Sequence, residues 1–145
     1  MVNNMFIPSI RSFISVVLLL GLTVHPFLFG QAMTAGPDQL NRESRSSFEA
    51  GDFRSALNGF RILMEKDPNN AMHVYYAGRC LVELNEDLDD AIELLYSASR
   101  RGAPTDAYFY LGRAYHLDYN FSEAAKNYSK FEQLATRQQM KDLRV

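Results

Sequence analysis

The sequence predicts an all-α protein in which about three antiparallel helix-turn-helix units stack as a short right-handed solenoid. Two spacings carry this reading. The segment Tyr75-Tyr76-Ala77-Gly78-Arg79-Cys80-Leu81 overlays Phe109-Tyr110-Leu111-Gly112-Arg113-Ala114-Tyr115, with Gly78 and Gly112 in matching places. Ala56, Ala91 and Ala124 each open an apolar-periodic segment and recur at intervals that average the same period. A fixed period of about 34 residues marks helix-turn-helix units that bury their apolar faces only by stacking.

The first element is an address. Phe13 to Leu22 is an apolar run, preceded by Arg11 and followed by Pro26, and Gly30-Gln31-Ala32 places small residues where a signal peptidase cuts. Residues 1–32 therefore read as a secretory signal peptide, with Ala35 as a second cleavage position. The stretch from Phe13 to Phe29 is short for a bilayer span and contains His25 and Pro26, so an uncleaved anchor is the alternative.

The repeat domain is expected over 37–145, with units at about 37–70, 71–104 and 105–138. Asp67-Pro68-Asn69-Asn70 ends the first unit, because proline cannot continue a helix and biases the residue before it away from one. Gly102-Ala103-Pro104 does the same for the second. The second helices enter at Asp52-Phe53-Arg54-Ser55-Ala56, Asp89-Asp90-Ala91 and Asn120-Phe121-Ser122-Glu123-Ala124. Gly78 and Gly112 are expected to face Ala91 and Ala124 where paired helices approach closely. The first unit departs from the pattern at Glu43 and Ser44, where an apolar residue and a small one are expected. After Leu134, Met140, Leu143 and Val145 supply apolar contacts for a capping helix that looks cut short, as in the N-terminal part of a longer protein.

Composition narrows the chemistry. Asp38 onward carries 14 of the 15 basic residues and all 17 acidic ones, a net charge of −3. A nucleic-acid partner would need a basic footprint, so none is expected. The one cysteine, Cys80, excludes an internal disulfide and is expected to be buried. His73 and His116 read as solvated or groove-lining. Asn85, Asp87 and Asp89 begin like a calcium loop, but Asp90 stands where glycine belongs and Tyr96 where the bidentate glutamate belongs. These carboxylates read instead as helix-start residues. With no nucleophile, phosphate loop or metal spacing in sight, no catalytic residue, metal, cofactor or small-molecule substrate is expected.

This helix-turn-helix period resembles the tetratricopeptide repeat family, over essentially all of the chain after its signal. The resemblance implies that first helices line a concave groove that takes protein or peptide ligands. Asn41, Arg45, Phe48 and Glu49 then share a face with Tyr75, Arg79, Val82 and Glu83, and with Phe109, Arg113, His116 and Leu117. Arg45, Arg79 and Arg113 follow one another at exactly one period each time. Helices pack roughly 8–10 Å apart, so the three guanidinium groups are expected to form a ladder, with Tyr75 and Phe109 one turn earlier. Arginine beside aromatics suits an acidic or carboxylate-bearing segment. The groove set is thus Arg45, Phe48, Tyr75, Arg79, Phe109, Arg113 and His116.

The stretch from Tyr108 to Ala125 is similar to the N-terminal repeats of Bacteroidota envelope proteins that also carry a WD-repeat-like propeller and an OmpA-like domain. That resemblance implies an exported scaffold, periplasmic or outer-membrane-associated, or facing the periplasm from an inner-membrane anchor. The alternative role is a spacer or oligomerisation module stacked through residues 128–145. Membrane contact is expected only if the N-terminal segment stays uncleaved.

Overall fold

The computed structural model describes residues 36–143; the predicted signal peptide and Val145 lie outside them. Seven helices follow one another among the described residues: α1 (Pro37–Glu49), α2 (Phe53–Lys66), α3 (Ala71–Leu84), α4 (Leu88–Arg100), α5 (Ala107–Leu117), α6 (Phe121–Leu134) and α7 (Arg137–Asp142). They form three antiparallel pairs, α1–α2, α3–α4 and α5–α6, each packed on the next. This is the all-α helical-repeat solenoid that the period predicts.

Local chemistry sets the helix ends. Pro37 opens α1, where a missing N–H costs nothing. The side chains of Asp52, Asn70 and Asn120 accept from the N–H of Ser55, Met72 and Glu123, so three helices start on side-chain caps. Asp87 precedes α4 without such a bond, and Asp89 and Asp90 in its first turn act on the helix dipole alone. The turns inside the pairs need a left-handed residue. Gly51 supplies it in the first (φ +80) and Asn85 in the second (φ 54). Tyr119 takes Gly51's place in the third with φ 61, although a bulky side chain there costs about 1 kcal/mol or more.

Within each pair the helices touch through one small residue. A Cβ on Gly78 would come within 2.8 Å of Leu95 and 3.3 Å of Leu94, so its nearest neighbours are two leucines one turn beyond Ala91. A Cβ on Gly112 would meet Tyr128 at 2.8 Å and the Ala124 carbonyl oxygen at 3.2 Å. The first pair answers its departure from the pattern by reversal. Ser44 stands one period before Gly78 and is buried, and the glycine lies across from it as Gly59.

The core runs unbroken from Ala56 to Ala114 through Phe60, Leu63, Tyr75, Leu81, Leu95 and Leu111. Phe60 and Tyr76 stack at 5.0 Å, joining the first pair to the second. Cys80 lies inside it, fully buried, and burial pushes its thiol pKa up to about 12. The last pair does not expose an apolar flank. Along α6, Ala125, Lys126, Ser129, Lys130, Glu132 and Gln133 face solvent, and only Phe121 and Leu134 at its two ends are large, apolar and exposed. The short α7 follows, started by a capping box of Thr136 and Gln139.

Candidate partner-binding groove

First helices lie on one side of the stack. α3 packs directly against α5, and Phe48 of α1 meets Tyr76 and Arg79 of α3, so α1, α3 and α5 share one side of the stack, the inner one. Arg45, Arg79 and Arg113 occupy it in matching register, but their surroundings differ.

Arg45 is exposed, its guanidinium carbon 5.4 Å from the centre of the Tyr76 ring, and no acidic side chain pairs with it among the described residues. Arg113 is half-buried and donates to Glu83 of α3 at 2.8 Å. Arg79 is the most enclosed of the three, its side chain 18% exposed. Its guanidinium lies 4.6 Å from the Phe48 ring centre on α1 and 4.0 Å from that of Tyr110 on α5. It donates to the Tyr75 hydroxyl at 3.0 Å and the Tyr110 hydroxyl at 2.6 Å, and stands 4.0 Å from the Asp106 carboxylate. Burial works against its charge, but Tyr75, Tyr110 and Asp106 outweigh burial and hold its pKa above the ordinary value. Arg79 thus ties all three first helices together.

Two further expectations need correction here. Tyr75 is not a groove surface: it is 2% exposed, and its hydroxyl donates to Asp106 at 2.6 Å. Burial raises its pKa well above the usual phenol value. His73 is neither solvated nor groove-lining. It is buried beside a cavity of about 190 Å³ lined also by Asp38, Asn41, Lys66, Asp67 and Asn70, and its Nδ1 has no hydrogen-bond partner among the described residues. Burial lowers its pKa, with Asp67 pulling the other way.

Phe109 is half-buried and packs on Tyr128 at 5.7 Å and Phe131 at 5.6 Å, inside its own pair. Phe48 is half-buried between Phe53, Tyr76 and Arg79. His116 is exposed and meets the edge of Phe121 at 5.4 Å. The structure therefore joins Phe48, Tyr75 and Arg79 in one cluster, and leaves Arg45, Arg113 and His116 at separate points of the inner side.

Sequence reasoning missed Asp106 and Tyr110, which complete the Arg79 cluster from the next unit. The available signal was physical: an enclosed arginine requires an acid or hydroxyls nearby, and the following unit holds both in reach of the same register. Among the described residues no group of three or more His, Cys, Asp or Glu side chains is placed to hold a metal ion.

Residues 41–107, which span this cluster up to the start of α5, match the model of the tetratricopeptide repeat family. Over those residues the chain is similar to tetratricopeptide repeats. Comparison with the curated proteins finds no match. Tetratricopeptide repeats in general mediate protein–protein interaction, and their fold is generally a non-catalytic scaffold.

Proposed function

We propose that this tetratricopeptide-repeat chain is an exported, non-enzymatic scaffold that holds a protein or peptide partner along the inner side of α1, α3 and α5. The observation that carries the reading is Arg45. It is exposed, stacked on Tyr76 and unmatched by any acid among the described residues, so its charge is available to an incoming carboxylate. Arg113, already paired with Glu83, adds a second cation on the same side. The partner's surface is an acidic or carboxylate-bearing segment.

Export rests on the sequence before Pro37: the apolar run from Phe13 to Leu22 and the small residues flanking Gln31. The similarity of Tyr108 to Ala125 to repeats of Bacteroidota envelope proteins supports an envelope setting. It also supports a chain that serves as the scaffold part of larger cell-wall-tethered machinery. A spacer role through the last helix has less support, because α6 turns mostly polar side chains outward.

The test is capture from an envelope extract of the host by wild type and by an Arg45→Glu, Arg113→Glu double variant. A defined partner retained by the wild type and lost by the folded double variant is the expected result. Equal capture by both would move the site off the inner side.

A further inference from the structure

The C-terminal segment does not cover the outer flank of α6. It turns toward the inner side, where Leu143 packs against the core beside Arg79, Asp106 and Tyr110. Gln139, Asp142 and Leu143 line one side of an open cleft of about 240 Å³, and those three residues line the other.

The seat is poorly satisfied. α7 is six residues long and has no buried residue. Its polar groups bond within the segment: Gln139 Oε1 accepts from the N–H and hydroxyl of Thr136, and Gln138 donates to Asp142 at 2.7 Å. Within the same cluster, Arg79 Nε and Asp106 Oδ1 are buried with no hydrogen-bond partner among the described residues. One is a donor and the other an acceptor, on side chains 4.0 Å apart. A buried polar atom left unpaired is costly, so an occupant that supplied the missing partners would outcompete one that does not.

We propose that α7 is a displaceable placeholder, and that the surface of Arg79, Asp106 and Tyr110 docks a partner's short helix bearing an aliphatic residue and, about one turn away, a carboxamide. The aliphatic group takes the place of Leu143. The carboxamide accepts from Arg79 Nε and donates to Asp106 Oδ1, which no group of α7 does. This deepens the groove reading and rests on it, since it names which part of the inner side is covered until a partner arrives.

The test uses the full chain and a fluorescent synthetic peptide of residues 135–145 as the probe. Leu143→Asp in the chain removes the aliphatic anchor and releases α7. A Thr136→Ala, Gln139→Ala variant, which breaks the capping box, releases it by an independent route. The peptide is expected to bind both released variants at least tenfold more tightly than wild type. A peptide carrying Leu143→Asp should not bind. Equal binding to wild type and released variants, or none to variants with unchanged circular dichroism, overturns the placeholder. Capture of an envelope partner that Arg45→Glu, Arg113→Glu abolishes would then still stand, so the two readings fail separately.

Discussion

Ser44 and Gly59 occupy one space between α1 and α2. The Ser44 hydroxyl donates to the Leu40 carbonyl oxygen at 2.7 Å, and a Cβ added to Gly59 would overlap that same Ser44 oxygen. The later pairs put glycine on the first helix and a large side chain across from it; here a serine and a glycine divide the same room.

Gly59→Ala therefore sets two effects against each other. Alanine favours a helix over glycine by about 1 kcal/mol, while overpacking a closed contact costs about 1–3 kcal/mol. The clash should win, for a net loss of about 1 kcal/mol in urea unfolding. Ser44→Gly in the same chain should relieve it, giving a coupling of about 1 kcal/mol between the two sites. Additive single-site effects would show that they do not share the contact.

Arg79 and Arg113 should behave unequally despite their shared register. Arg79→Leu leaves two tyrosine hydroxyls without their donor and Asp106 without its counter-charge in a largely enclosed site, and should cost about 2–4 kcal/mol. Arg113→Ala breaks a pair whose two side chains are 39% and 20% exposed, and should cost less than about 1 kcal/mol. Thermal melts of both variants check this; equal losses would contradict the assigned environments.

His73 gives the fold a dependence on acid. Its folded pKa lies below the ordinary 6.5 because burial disfavours the imidazolium. The unfolded chain then binds the proton more readily, so the contribution is complete above about pH 6.5 and is lost as pH falls through the unfolded value toward the folded one. Wild type should lose more stability between pH 7.5 and 5.5 than His73→Gln does. Parallel profiles for the two would mean that the imidazole is not desolvated.

Cys80 should be silent to thiol reagents. Full burial removes access, and a thiol whose pKa is pushed up to about 12 has little thiolate near neutral pH. Labelling by a maleimide at pH 7.5 should follow the global unfolding rate and accelerate only in denaturant. Fast labelling of the native chain would place the thiol near the surface.

Much of the architecture was legible because its cause is local. Gly78 and Gly112 announce the close helix approach, and Pro68 and Pro104 announce the breaks. Asp52, Asn70 and Asn120 stand where free N–H groups need caps. The groove was less legible. The register of Arg45, Arg79 and Arg113 followed from the period, but register says nothing about who stands on either side. Ser44 read as a departure from the pattern because its answer, Gly59, lies on another helix. α7 was expected as a cap on the last helix, and its turn toward Arg79 depends on where α5 sits relative to α3.

The sequence by itself determined the period, the helix pairs and which residues share the inner side, since these rest on spacing and on backbone preferences within a short stretch of chain. The fates of three equivalent arginines were decided only by tertiary structure. Arg79 has a first helix on each side and is enclosed by Phe48, Tyr75, Tyr110 and Asp106. Arg113 finds one acid on the helix before it, and Arg45 has an aromatic ring but, among the described residues, no acid. Burial and pairing depend on groups most of a repeat away along the chain, and only the packed stack brings those groups within reach.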